Sequence, residues 1–209
     1  IDLSMGLNAI YCHHGQDPTY AKPHLKDTDD FTIDENNAGK RIANGKSSEH
    51  TLYTFGSNLW SVISKNRTVT GGGKQAFNFA DENQTVSLSG GACNTFSVPF
   101  SNAQNTSFEY NSAAGNYAVK SNGTARKDYV SGAAVNVKNV FVLLTDITDY
   151  PDNYHRKVAL SGGNGYYITN GTYTQITWTK GAASNPITVK NADGSALTVS
   201  AGNSWICIA

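Results

Sequence analysis

The spacing of apolar residues changes character part-way along the chain. Near the start it has a mixed period. Ile1 and Met5 are four apart, with Gly6 and Asn8 as stop signals, so residues 1–8 read as the end of a helix. Ala9 to His14 then alternates as a strand cut by Gly15, placing Ile10, Cys12 and His14 on one face and Tyr11 and His13 on the other. Asp17 to Lys46 is polar and rich in turn residues. Leu59, Val62 and Ile63 form one apolar stripe at i, i+3 and i+4, a helix entered from Thr51–Thr54 and capped by Ser57. Gly71, Gly72 and Gly73 read as a linker, because they lack the Gly-x-Gly spacing of a phosphate cradle.

Past Gly90 the pattern is almost entirely that of short strands. Phe96 to Phe100 and Ser107 to Asn111 alternate. Tyr117 to Lys120 runs into Ser121-Asn122-Gly123, a turn, with Ala125 to Tyr129 as the returning strand. Val135 to Leu144 predicts one long central strand. Gly162 to Gly165 reads as a break before the strand Tyr166 to Thr169, and Asn170-Gly171 is a hairpin signal leading to Tyr173–Thr179. Ile187–Val189 and Leu197–Val199 flank a turn at Asn191–Gly194, and Ser204 to Ile208 closes the chain as a strand. The expected fold class is α+β: a small α/β part over residues 1–90 and a β-rich, largely antiparallel part over 91–209, meandering or barrel-like.

Composition narrows the function classes. Only 15% of the 209 residues are charged, net charge is +0, and no basic run exceeds Arg126-Lys127, so no nucleic acid is expected as a partner. The polar surface has to come from Asn, Thr, Ser and Gly, a balance that points outside the cytoplasm. No apolar run approaches the ~20 residues of a membrane span. Cys12, Cys93 and Cys207 are too few for a disulfide framework and are expected as buried thiols, with one bridge as the other arrangement. The Asn-x-Ser/Thr triplets at Asn66, Asn83, Asn105, Asn122 and Asn170 follow from composition. The sequence opens at Ile1 without Met, so an export or upstream segment is expected to precede it.

A run of residues carries a family resemblance. It comprises Phe108-Glu109-Tyr110, Gly115-Asn116-Tyr117, Val137 to Val142, Gly163 to Gly171, Ile176 to Lys180, Asp193-Gly194 and Gly202 to Ile206. In that order and spacing they resemble the C-terminal part of the YerB-like lipoproteins, a bacterial family of unknown function. Ala9 to Gly15 is similar to the family's strand followed by His-x-Gly, and His50 to Thr54 to its His-Asn-Leu-Tyr stretch, with Thr51 in place of Asn. Gln16-Asp17 stands where the family has Gly-Ser. The resemblance implies export, a lipid anchor outside this chain as the sole membrane attachment, and a further upstream segment that completes the first sheet. It implies no reaction.

The candidate site residues lie in the two N-terminal stretches. A His before a Gly at a strand end borders a cleft, so His13, His14, Asp17, His50 and Tyr53 are the candidate ligand-binding residues. His13 and His50 are expected on neighbouring segments, sharing one water or ligand; a hydrogen-bonded structural pair is the plainer reading. Without a His-x-x-x-His spacing no metal is expected, and no cofactor signature is present. The acidic stretch Asp27 to Glu35 lacks the Gly and Glu of a calcium loop and reads as a solvated face. No Gly-x-Ser-x-Gly occurs. Trp178, Trp205, Tyr166 and Tyr167 read as core and cross-strand pairs, with a sugar-stacking platform as the other use. The expected function is an extracytoplasmic envelope-associated binding or accessory domain, its partner cell-wall material or an envelope protein. The competing expectation is a cell-envelope hydrolase using a His-centred cleft.

Overall fold

A computed structural model describes residues 1–67 and 72–209. Gly71 of the triple glycine, and Thr68 of the Asn66 triplet, lie outside the described residues. The chain divides into two compact units, Ile1–Gln75 with Ala183–Pro186, and Ala76–Ala182 with Ile187–Ala209. The class is α+β, with few helices and many strands. The change of sequence pattern at Gly90 and the boundary between units are different places. Residues 76–90 hold no named strand, yet Phe77, Ala80, Val86 and Leu88 pack in the core of the second unit.

The first unit is built from short elements. Helix α1 (Asp2–Gly6) ends as the sequence predicts, with Asn8 at φ 53°. Gly6 has a packing role: a Cβ there would lie 2.4 Å from the Asn185 carbonyl oxygen, and this close approach ties residues 183–186 to the unit. Strand β1 (Tyr11–His13) pairs in parallel with β2 (Asp30–Thr32), with Tyr11 opposite Asp30 and His13 opposite Thr32. Between them lies α2 (Lys22–Leu25). Strand β3 (Lys40–Arg41) pairs antiparallel with β4 (Leu52–Tyr53), and α3 (Gly56–Asn66) follows. The cap of α3 differs from expectation. Phe55 is the N-cap residue, no side chain caps it, and Ser57 lies inside the first turn. Of the predicted stripe, Ile63 is buried and Leu59 and Val62 are half-buried.

The second unit packs two sheets on each other, in place of the single meandering sheet or barrel-like body that the short strands suggest. The first sheet runs β5 (Thr95–Ser101), β6 (Gln104–Asn111), β7 (Asn116–Ser121), β8 (Thr124–Ala125), with β9 (Asn136–Val137) also on β7. The second has the order β15 (Thr188–Asn191), β14 (Thr172–Thr179), β13 (Gly162–Thr169), β10 (Asn139–Leu143), β16 (Ser204–Ile208). Every pairing in them is antiparallel except β10 with β16. A small hairpin, β11 (Ile147–Asp149) with β12 (Arg156–Val158), stands apart.

Strand β10 is buried at all five residues because both faces of its sheet are covered. Val140 and Val142 face the first sheet, packing with Phe108, Ile168 and Cys207. Phe141 and Leu143 face the other way, toward Tyr167, Trp178, Val199 and the 76–90 segment. The long strand expected over Val135–Leu144 is cut at Lys138, whose N–H donates to both oxygens of Asn203. Before Lys138 the chain pairs in the first sheet; after it, in the second. The returning strand expected at Ala125–Tyr129 stops at Ala125, where the chain turns over Asp128–Gly132. Leu197–Val199 holds no strand of its own; Val199 makes one bridge to Phe79.

The glycines at 162–165 are strand, not a break. A Cβ would lie 2.5 Å from the Leu144 carbonyl at Gly163 and 2.4 Å from that of Val142 at Gly165. These positions need glycine because neighbouring backbone is too close for any other residue. Asn170 and Gly171 sit at φ 50° and 73°, as the tight hairpin requires.

Candidate functional site

The five sequence-predicted residues have separate environments in the first unit. Strand alternation puts Tyr11 and His13 on one face, their rings stacked at 5.1 Å. The His13 ring is buried, with Nδ1 2.9 Å from the Gly15 carbonyl and Nε2 3.1 Å from Asp30 Oδ2. His14 points to solvent, its Nδ1 2.7 Å from the Ile33 carbonyl. Asp17 accepts from the backbone N–H groups of Thr19 and Tyr20. His50 is exposed in a 3-10 turn (Ser48–His50) beside Glu49. The Tyr53 ring meets Phe55 edge-on. Among the described residues no hydrogen bond, ion pair or ring contact joins His13, His50 and Tyr53. No group of three or more His, Cys, Asp or Glu placed to hold a metal is present among the described residues.

His13 has an acidic partner that the sequence reading did not supply. Asp30 lies within the acidic stretch Asp27 to Glu35 that reads as a solvated face; the apolar Phe31 and Ile33 beside it are the signal of a strand. Its neighbour Asp29 pairs with Arg67, whose guanidinium also donates to the Asp30 carbonyl. Replacing His13 by Ala strands the half-buried Asp30 carboxylate and the Gly15 carbonyl. We expect a loss of about 1–3 kcal/mol, read by urea unfolding, whereas a side chain serving only a ligand would leave stability unchanged.

A cavity of about 500 Å³ opens in the second unit. Phe96, Ser97, Val98 and Pro99 of β5 form one wall; Val142, Tyr166, Ile168 and Tyr173 of the second sheet, with Leu144 just past β10, form the other, and Cys93 and Ala209 complete the lining. Strand β5 is an edge strand, which leaves this side of the two-sheet core uncovered. Cys93 is held in place through its backbone. Its N–H donates to Gly171 O at 2.6 Å, and its carbonyl accepts from the Tyr117 hydroxyl at 2.9 Å. That hydroxyl also accepts from the Gly171 N–H, and burial raises the Tyr117 pKa, so it stays a donor.

The lining contains no His, Asp, Glu, Lys or Arg. Its thiol is pushed above the ordinary value of 9.0 by burial, so Cys93 is protonated at neutral pH and a poor nucleophile. Such a wall is suited to sequestering apolar surface.

All three cysteines are free thiols. Cys207 is the most protected, at 1% exposure, with burial raising its pKa to about 11. A thiol reagent at pH 8 should modify the half-buried Cys12 and Cys93 first, and Cys207 only on unfolding. A raised folded pKa contributes stability below the ordinary thiol value and loses it above. Urea midpoints should therefore fall as pH rises from 9 toward 11, and Cys207→Ala should flatten that fall.

Residues 96–206, more than half of the chain, match the family model described as the C-terminal domain of a protein of unknown function, DUF3048. The chain belongs to this family. The match takes in β6 to β14 entire, and with them most of both sheets and of the cavity wall. The crystal structure of the YerB protein from Bacillus subtilis is similar, with a TM-score of 0.81 and 21% identity over 100% of this chain and 70% of that one. At that identity the likeness is one of fold. No curated protein matches. Trp178 and Tyr167 are core residues, and Trp205 packs edge-on against Phe108 at 6.3 Å, so these family-motif aromatics do not form an exposed platform.

Proposed function

We propose that this family member is an extracytoplasmic, envelope-associated binding or accessory domain that holds an acyl chain in the apolar cavity of its second unit. The cavity carries the reading. Its volume of about 500 Å³ falls within the ~300–1,000 Å³ range of small-ligand pockets. Its wall is mostly aliphatic, with neutral hydroxyls from Ser97, Tyr166 and Tyr173. A hydrocarbon chain would gain roughly 0.8 kcal/mol for each methylene it buries there. Location outside the cytoplasm rests on the low charge and the Asn- and Thr-rich surface. A lipid anchor outside this chain would bring the cavity beside acyl-bearing molecules. The hydrolase reading gains no such support, because His13 is engaged with Gly15 and Asp30 and His50 with Glu49.

The test is calorimetric titration of the 209-residue chain with dodecanoate below its micellar concentration. One-to-one saturable binding is expected, and Val98→Phe, which projects ring atoms into the cavity, should weaken it at least tenfold, the effect of losing about two buried methylenes. Equal binding by the variant would place the ligand elsewhere.

A further inference from the structure

We infer that a second, polar cleft of the second unit, at the β14 edge around Gln175, is a site for a neutral saccharide. The cleft has a volume of about 530 Å³ and is walled by Ser87 to Gly90 on one side, Asn191 to Asp193 on the other, and Tyr173 to Gln175 between. It exists because two different segments share one strand edge and leave a gap between them. Upstream, Gly90 N–H donates to Tyr173 O, and Tyr173 N–H donates to Gly91 O. Downstream, β15 joins β14 only from the Asn191–Ile176 pair onward. Past Asn191 the chain turns away, closed by Asn191 N–H to Ser195 O and Gly194 N–H to Asn191 O.

The β13–β14 register is continuous, so backbone direction alternates strictly along β14. Tyr173 directs its N–H and C=O outward to Gly91 and Gly90, and Gln175, two residues on, therefore directs its own outward, into the gap. Gln175 is exposed and lines the cleft. Residues of matching chemistry line the cleft: Ser87, Ser89, Thr174, Gln175 and Asp193. The Asp193 carboxylate is fixed by its Oδ1, which accepts from Ser195 N–H at 2.9 Å and Ser195 hydroxyl at 2.6 Å, leaving Oδ2 to accept from a ligand. Asn191 Nδ2 is likewise fixed on Ser195 and Ala196. Little ordering entropy would be lost on binding.

Alternating donors and acceptors around one carboxylate, with no Lys or Arg, fit a hydroxyl-rich uncharged molecule and repel an anion. The Tyr173 ring supplies the apolar surface that a sugar's C–H face requires; it lies so close to Gly90 that a Cβ there would come within 3.0 Å of it. Tyr173 also borders the apolar cavity, but the inference does not depend on an acyl ligand, and the test reads different residues.

The experiment is an amide NMR titration of the 209-residue chain with maltotetraose, with the tetramer of N-acetylglucosamine, and with tetragalacturonate as the charged control. Saturable shifts are expected at Ser89, Gln175 and Ala192 with at least one neutral oligosaccharide, and none with the anion. Asp193→Asn, which keeps the turn, and Gln175→Ala, at an exposed position, should each weaken binding, together about tenfold. The absence of shifts with both neutral sugars would overturn it. So would shifts confined to Val98 and Ile168 in the apolar cavity, or binding unchanged in the double variant.

Discussion

Trp178→Ala is expected to lower the unfolding free energy by about 3–5 kcal/mol. Trp178 is among the largest fully buried side chains of the second unit, at 1% exposure. It fills the layer between the second sheet and the 76–90 segment, where Val86, Phe141, Leu143 and Val199 also meet. The loss has two parts. One is the apolar area and the cavity left behind, which the paired strands of the second sheet cannot collapse to fill. The other is the indole Nε1–H donated to Leu144 O at 3.1 Å, which leaves that carbonyl short of a donor. Trp178→Phe should recover most of the first part and none of the second. Urea unfolding followed by circular dichroism reads both; a loss below about 1 kcal/mol for the Ala variant would mean that this layer is not a packed core.

The second large effect is expected at the buried polar cluster behind the central strand. The Tyr167 hydroxyl donates to Asn139 Oδ1 at 2.7 Å and accepts from Ser200 N–H at 2.8 Å. Asn139 Nδ2 donates to Ser200 O at 2.9 Å, and Thr169 Oγ1 donates to Ser200 Oγ at 3.0 Å. Both Asn139 and Tyr167 are fully buried. Asn139→Ala leaves the Tyr167 O–H without an acceptor and the Ser200 carbonyl without its Asn139 donor, for a loss of about 2–3 kcal/mol. Tyr167→Phe removes the hydroxyl and leaves Asn139 Oδ1 and Ser200 N–H unpaired, for a similar loss. Because each single change strands a group of the other side chain, which the double variant removes, the double variant should lose less than the sum by at least ~0.5 kcal/mol. Additive losses would show that the two side chains act separately.

Both expectations rest on strands whose identity the sequence carries well. Short alternating runs such as Phe96–Phe100 and the Asn170-Gly171 turn have local causes, period-two burial and a positive-φ pair, and so appear in the sequence. What was not legible had non-local causes. Lys138 breaks a run of strand formers because Asn203, 65 residues away, captures its N–H. Gly163 and Gly165 look like a loop until the approach of Leu144 and Val142 is known. Asp30 as the partner of His13 required β1 and β2 to lie side by side, a pairing across 17 residues of polar chain. The apolar cavity was the least legible feature. Phe96 and Val98 read as positions of an ordinary alternating strand, and only the two-sheet arrangement shows that the β5 edge leaves part of the core open. The histidines stood out because they are rare, yet rarity marks chemistry only where side chains converge.

The central claim is that the open core of the second unit holds a hydrocarbon chain. Methyl NMR of the 209-residue chain, labelled at Ile, Leu and Val, tests it most directly. On titration with dodecanoate, the methyls of Val98, Val142, Leu144 and Ile168 should shift together, saturate at one equivalent and show contacts to the ligand's methylene protons. Shifts scattered over the surface, or a silent set of cavity methyls at saturating ligand, would contradict the account.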